Sequence, residues 1–236
     1  MSLMNTPLWE VIKGSFAPEI WQVLLPAVLE TLYMTGLSSV IMLGFGLLLG
    51  ILLTVTNPNG LVPLKALYTG SGWIINVLRS LPQMIMIILM IPVARLIFGR
   101  SYGSDACIIA IAASCIPMYA RIVESSLLEI AKGKVEAAKS IGSTNAQIIF
   151  RILLPETIPS LIRGFTVAVI TIISMTALAG MFGAGGIGDI AVRFGYQRFQ
   201  HDLLFAAVYV LIIMVQIVQL LGDFTSRQIL KKRNLI

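Results

Sequence analysis

Residues 136–155 read E-A-A-K-S-I-G-S-T-N-A-Q-I-I-F-R-I-L-L-P. They form a polar interval between long apolar runs, and their own pattern is helix, break, helix. Ala137, Ala138 and Ile141 make a low apolar strip in the first half. Glu136 is expected at the start of that helix, where the macrodipole favours a negative charge. Gly142 breaks the helix at little steric cost. Thr144, followed three residues on by Gln147, has the pattern of a capping box, which starts a second helix. Ile148, Ile149, Ile152 and Leu153 give that helix an apolar face, and Pro155 is expected to end it. The spacing predicts an amphipathic elbow over residues 131–156, lying against a membrane.

The rest of the chain supports the membrane. Of 236 residues, 57% are hydrophobic and only 12% are charged. A water-soluble domain carries about 25% charged residues, so this chain cannot cover a surface that faces water. A helical span needs about 20 apolar residues. Five candidate spans fall at residues 32–55, 82–98, 106–119, 161–182 and 203–221. The second extends backwards through the helical pattern 73–78. The second and third are short and contain Pro92 and Pro117, which argues that they pack against protein rather than lipid. Ahead of the first, Trp9, Ile12, Phe16, Ile20 and Trp21 recur at near-helical spacing, so residues 1–30 are read as an interfacial segment. The expected fold is an all-α integral membrane protein, one domain over residues 1–236. It has five transmembrane helices, an interfacial N-terminal helix and a cytoplasmic helix pair.

Charge sets the orientation. The formal net charge is +6, and the basic residues sit beside apolar runs, which fits membrane anchoring rather than nucleic-acid binding. A cytoplasmic C-terminus places twelve of the 17 basic residues inside: Lys65, Arg79, those from Arg121 to Arg163, and the tail with Arg227, Lys231, Lys232 and Arg233. The elbow is then cytoplasmic and the N-terminus external. The first ten residues lack a basic region leading into an apolar core, so no cleavable signal peptide is expected. Arg79 and Arg95 flank the second span and are read as snorkelling anchors.

The remaining chemistry is sparse. Cys107 and Cys115, eight apart in one apolar run, cannot bridge and are read as small thiols facing lipid or a helix. His201 is the single histidine, so neither a metal site nor a nucleophile–base pair is expected. Gly183, Gly185 and Gly188 satisfy G-x-G-x-x-G, but they follow a span, not a strand. They are read as a tight external turn with a candidate part in an outer gate. Gly46 and Gly50 form G-x-x-x-G, which suits packing within one chain or between two. No carboxylate lies in the middle of a span, which argues against an ion-coupled carrier. The fourth span mixes Ser174 and Thr176 with Ile and Ala, an apolar path with a few hydroxyls, and Met175 and Leu178 are the candidate gate or pathway residues.

Glu136-Ala137-Ala138, Gly142 and Ile152-x-Leu154-Pro155 resemble the E-A-A-x-x-x-G-x9-I-x-L-P coupling motif of bacterial ATP-binding-cassette importer permeases, and every fixed position matches. The segments N-V-L-R-S-L-P (76–82), V-E-S-S-L-L-E-I (123–130), F-G-A-G-G-I-G-D (182–189) and R-F-G-Y-Q-R-F (193–199) are similar to the methionine-importer subfamily. The resemblance covers nearly the whole chain after about residue 31. It implies that Glu136, Ala137, Ala138, Gly142, Ile152, Leu154 and Pro155 couple the chain to a separate ATPase subunit. ATP and magnesium would bind that partner, since this chain has no G-x-x-x-x-G-K-[ST] phosphate loop. It implies further a homodimer in the cytoplasmic membrane, an external substrate-binding lipoprotein, and methionine or a close amino acid as cargo. A permease for another small solute and an ion-coupled secondary carrier are the competing readings.

Overall fold

The computed structural model describes residues 8–232. Among the described residues every regular element is helical. In chain order the helices are α1 (Leu8–Gly14), α2 (Pro18–Thr56), α3 (Lys65–Ser80), α4 (Gln83–Phe98), α5 (Ser104–Leu128), α6 (Lys132–Ser140), α7 (Asn145–Ile148), α8 (Leu154–Gly180), α9 (Gly186–Asp189) and α10 (His201–Lys232). Two π-helical stretches, Ile149–Leu153 and Ile190–Tyr196, continue α7 and α9. Helices α2, α5, α8 with its lead-in, and α10 are each long and apolar enough to cross a membrane, and the pair α3–α4 makes a fifth span if counted together.

Three expectations from the sequence need restating. First, α2 is continuous for 39 residues and runs through Pro26. At 1.5 Å per residue it is about 58 Å long, nearly twice a bilayer core. The interfacial segment is therefore not a separate helix beyond Pro18. Its apolar side has a protein partner: Leu24 and Ala27 pack with Ile187, Ile190, Ala206, Ala207 and Val210, flanked by Ile20 and Trp21. Second, the second span is not one rod, because its axis turns by 109° at the break between α3 and α4. Leu81 is extended there, as expected of a residue before proline, and Pro82 caps α4. Arg79 lies in the last turn of α3, just before α4, and Arg95 in the last turn of α4, so the two flank that apolar helix. Third, the signal-peptide reading and the tail residue Arg233 fall on residues 1–7 and 233–236, which lie outside the described residues.

The contacts fall into two compact units. One gathers the chain up to Val40 with residues 82–114 and 169–218, and the other gathers residues 41–81, 115–168 and the chain from Gln219. In the first, Tyr33 donates to Asp105 at 2.9 Å and Arg100 pairs with the same carboxylate. In the second, Leu53, Ile75 and Ala120 form a core flanked by Leu49 and Tyr68. The G-x-x-x-G pair resolves to packing within the protomer. A Cβ on Gly50 would stand 2.5 Å from the Val123 Cβ, and one on Gly46 would stand 2.8 Å from the Tyr119 ring. Small residues there let α2 and α5 touch backbone to side chain, the usual way helices associate without a hydrophobic driving force. Cys107 and Cys115 are buried and unbridged, so both thiols face protein.

Candidate functional site

The elbow forms as a helix, a left-handed turn and a second helix. Helix α6 begins at Lys132, so Glu136 is its fifth residue and not its first. The correction has a cause: Lys132 and Lys134 join the first turn, and Lys134 reaches Glu156 at 3.0 Å, where α8 begins. Both partners of that pair are largely exposed, so it orients the elbow more than it stabilises it. Helix α6 closes with a Schellman motif. The Gly142 N–H donates to the Lys139 carbonyl at 3.0 Å and the Ser143 N–H to the Ala138 carbonyl at 3.1 Å. Gly142 has φ +80°, which only glycine adopts without strain. The capping box then forms as expected. The Thr144 hydroxyl accepts from the Gln147 N–H at 3.3 Å, and the Gln147 side chain accepts from the Thr144 N–H at 2.8 Å.

The second helix does not stop at Pro155. It widens into the π turn Ile149–Leu153, where the Leu154 N–H reaches back to the Ile149 carbonyl, and continues as α8 with Pro155 its second residue. In a regular α-helix the proline ring would clash with the carbonyl four residues back. The widened turn removes that clash, and π turns of this kind recur at functional sites. The elbow is therefore joined to the fourth span by unbroken helix.

Burial sorts the motif into two faces. Ala138, Ile148 and Leu153 are buried, while Ile149, Ile152, Leu154 and Pro155 are half-buried. Glu136, Ala137 and Gly142 are exposed. Two large apolar side chains of the elbow are exposed as well: Ile141 is 83% exposed and Phe150 is 67% exposed. Sequence reasoning misses Phe150. Beside α6 a cavity of about 330 Å³ is lined by Glu136 and Lys139 together with Thr54, Asn57 and Leu127.

The other candidate residues lie on α8. Met175 is fully buried and Leu178 half-buried. Beyond α8 the glycine turn is tied down from two sides. Glu30 accepts from the Gly186 N–H at 2.7 Å and Thr31 from the Ile187 N–H at 2.9 Å. Ser104 donates to the Ala184 carbonyl at 3.0 Å. The turn leads into helix α9, not a dinucleotide fold.

Comparison with known proteins identifies the family. Residues 46–234 match the family described as "Binding-protein-dependent transport system inner membrane component". The chain belongs to this family. It is an ATP-binding-cassette importer permease subunit. It is 38% identical over 206 residues to the probable D-methionine transport system permease protein of Vibrio cholerae, covering 87% of this chain and 92% of that protein. It is 39% identical over 214 residues to the methionine import system permease protein of Bacillus subtilis, covering 91% and 95% respectively. A solved structure of inward-facing conformations of a methionine ABC transporter aligns with TM-score 0.88 at 36% identity, over 91% of this chain and 99% of that one. The all-helical importer-permease fold is thus shared along nearly the full length.

Proposed function

We propose that this chain is the membrane-spanning subunit of an ATP-driven importer that carries methionine across the cytoplasmic membrane, working as a homodimer. The observation that carries the reading is the elbow itself. It presents Ile141, Phe150, Ala137 and Gly142 outward on a scaffold joined rigidly to α8. Large apolar side chains on such a knob suit a cleft on a separate ATPase, with alanine and glycine allowing close approach. Glu136 lies beside them, and Ile152, Leu154 and Pro155 hold the π turn that transmits the motion. Closure of two ATPase subunits around ATP and magnesium would draw two elbows together and favour the outward-open packing. The switch is a population shift set by which packing binds ATP better.

In α10 only 22% of the apolar window is buried, against 61% in α5, which leaves α10 a broad face for lipid or a second copy. The cargo follows from the names of the relatives. An external lipoprotein would deliver it, and the basic side would face the cytoplasm, with the N-terminus outside. Leu178 keeps accessible surface for a pathway wall, and Met175 fills the space behind it. The test is uptake of labelled methionine into proteoliposomes holding this chain with its ATPase and binding protein. Uptake that requires ATP and survives an ionophore supports the reading. Uptake that an ionophore abolishes and ATP does not drive belongs to a secondary carrier.

A further inference from the structure

The broken second span carries a feature that the coupling role does not use. Helices α3 and α4 have 16 residues each, so their break falls at the midpoint of the combined run. Arg79 sits in the last turn of α3, two residues before Leu81. Arg79 stands at the junction of the two helices, on the side that the basic residues assign to the cytoplasm. Interrupted span helices are where transporters place their cargo. A groove of about 620 Å³ opens beside this turn, lined by Tyr68, Thr69, Gly72, Trp73, Asn76 and the two arginines Arg79 and Arg121.

The groove has a fixed wall and one spare charge. Arg121, on α5, is committed: it donates to Glu124 at 2.7 Å, to the Gly72 carbonyl at 3.0 Å and to Asn76 Oδ1 at 3.0 Å. The Glu124 side chain is only 6% exposed and compensates this guanidinium. Because Arg121 can only donate, it fixes the Asn76 amide with its oxygen inward, which leaves the NH2 group to donate into the groove. One turn on, Arg79 is exposed and makes no hydrogen bond or ion pair among the described residues. No acidic residue lines the groove. Trp73, 68% exposed, stands on the other side of Asn76. The arrangement is an uncompensated guanidinium, a preset amide donor and an aromatic face along one side of one helix.

We infer that this groove is a cargo subsite that takes the free carboxylate of an apolar α-amino acid. Arg79 and Asn76 bind the carboxylate, a planar acceptor that suits a guanidinium fork. Trp73 and Tyr68 receive the tail, and a thioether gains most from that contact. The inference rests on the importer reading above, but it concerns recognition rather than drive.

The test uses the whole complex of this chain with its ATPase, without binding protein, in phosphatidylcholine nanodiscs. Photo-methionine, a diazirine analogue of methionine, is cross-linked and the label is mapped by mass spectrometry. The expected label falls within residues 68–79. Methionine competes for it, and methioninol, which lacks the carboxylate, competes at least about tenfold more weakly. Arg79→Ala weakens labelling by about tenfold or more, and Arg79→Lys restores part of it, since a charged hydrogen bond is lost and then partly replaced. Substitution of Lys231, far along α10, leaves labelling unchanged. Label outside α3, or equal competition by methioninol, overturns the subsite even if Arg79→Ala does not fold. Absence of labelling together with phosphatidylglycerol retained through Arg79 also overturns it, because the groove then holds a lipid headgroup. If the complex transports methionine with ATP but the label maps elsewhere, only the subsite falls. If it transports no methionine, the importer reading and the subsite fall together.

Discussion

Two left-handed glycine turns in this chain look alike along the backbone and differ in what surrounds them. Gly142 in the elbow has φ +80° and Gly186 in the turn after α8 has φ +77°. A Cβ on Gly142 would meet nothing within 4 Å, whereas one on Gly186 would stand 2.7 Å from the Thr31 hydroxyl. Gly185 is as tightly placed, since a Cβ there would run into the Glu30 carboxylate. Thr31 is saturated there, since it accepts from Ile187 and donates to the Ala27 carbonyl at 2.9 Å. The space around the second turn is filled by the chain itself. The space around the first is empty, and Ile141 beside it is apolar and exposed. The vacancy leaves room for the partner that the proposed coupling role requires.

That contrast can be broken by one substitution at each turn. Gly186→Ala meets both backbone strain and a clash with Thr31, and should destabilise the protomer by about 2–5 kcal/mol. Thermal unfolding in detergent would read this, and an unchanged midpoint would mean the turn is not held as described. Gly142→Ala meets strain alone and should cost about 1–3 kcal/mol. Its unfolding midpoint should fall less than that of Gly186→Ala, while its ATP-driven uptake falls severalfold. A bulky Gly142→Val should sharpen the same split. If both readouts move together at both turns, the distinction between a self-contained turn and a docking turn is lost.

Much of the elbow is legible in sequence because its signals are local. Gly142 and the Thr144–Gln147 box are set by a few neighbouring atoms, and the structure forms both. The apolar runs locate the spans for the same reason. What escapes depends on partners distant in the chain. Residues 20–28 read as interfacial because nothing local reveals that α9 and α10 cover them. Pro155 reads as a stop because the π turn that accommodates it has no composition of its own. Glu136 reads as a helix start, yet α6 begins four residues earlier. The choice between internal and intermolecular packing for Gly46 and Gly50 needs the positions of Tyr119 and Val123. The bend between α3 and α4 escapes because hydropathy averages across it. Phe150 is invisible because an aromatic in an apolar stretch gives no sign of which way it points.

The central claim is that drive enters through the outward face of the elbow. It is tested most directly by measuring the affinity of the purified dimer for its ATPase after Ile141→Asp and Phe150→Asp. Both side chains are exposed, so the protomer should keep its unfolding midpoint. The account predicts that each change weakens association by at least about thirtyfold, as expected of a buried apolar anchor. Association and ATP-driven uptake at wild-type levels with both substitutions in place would contradict it.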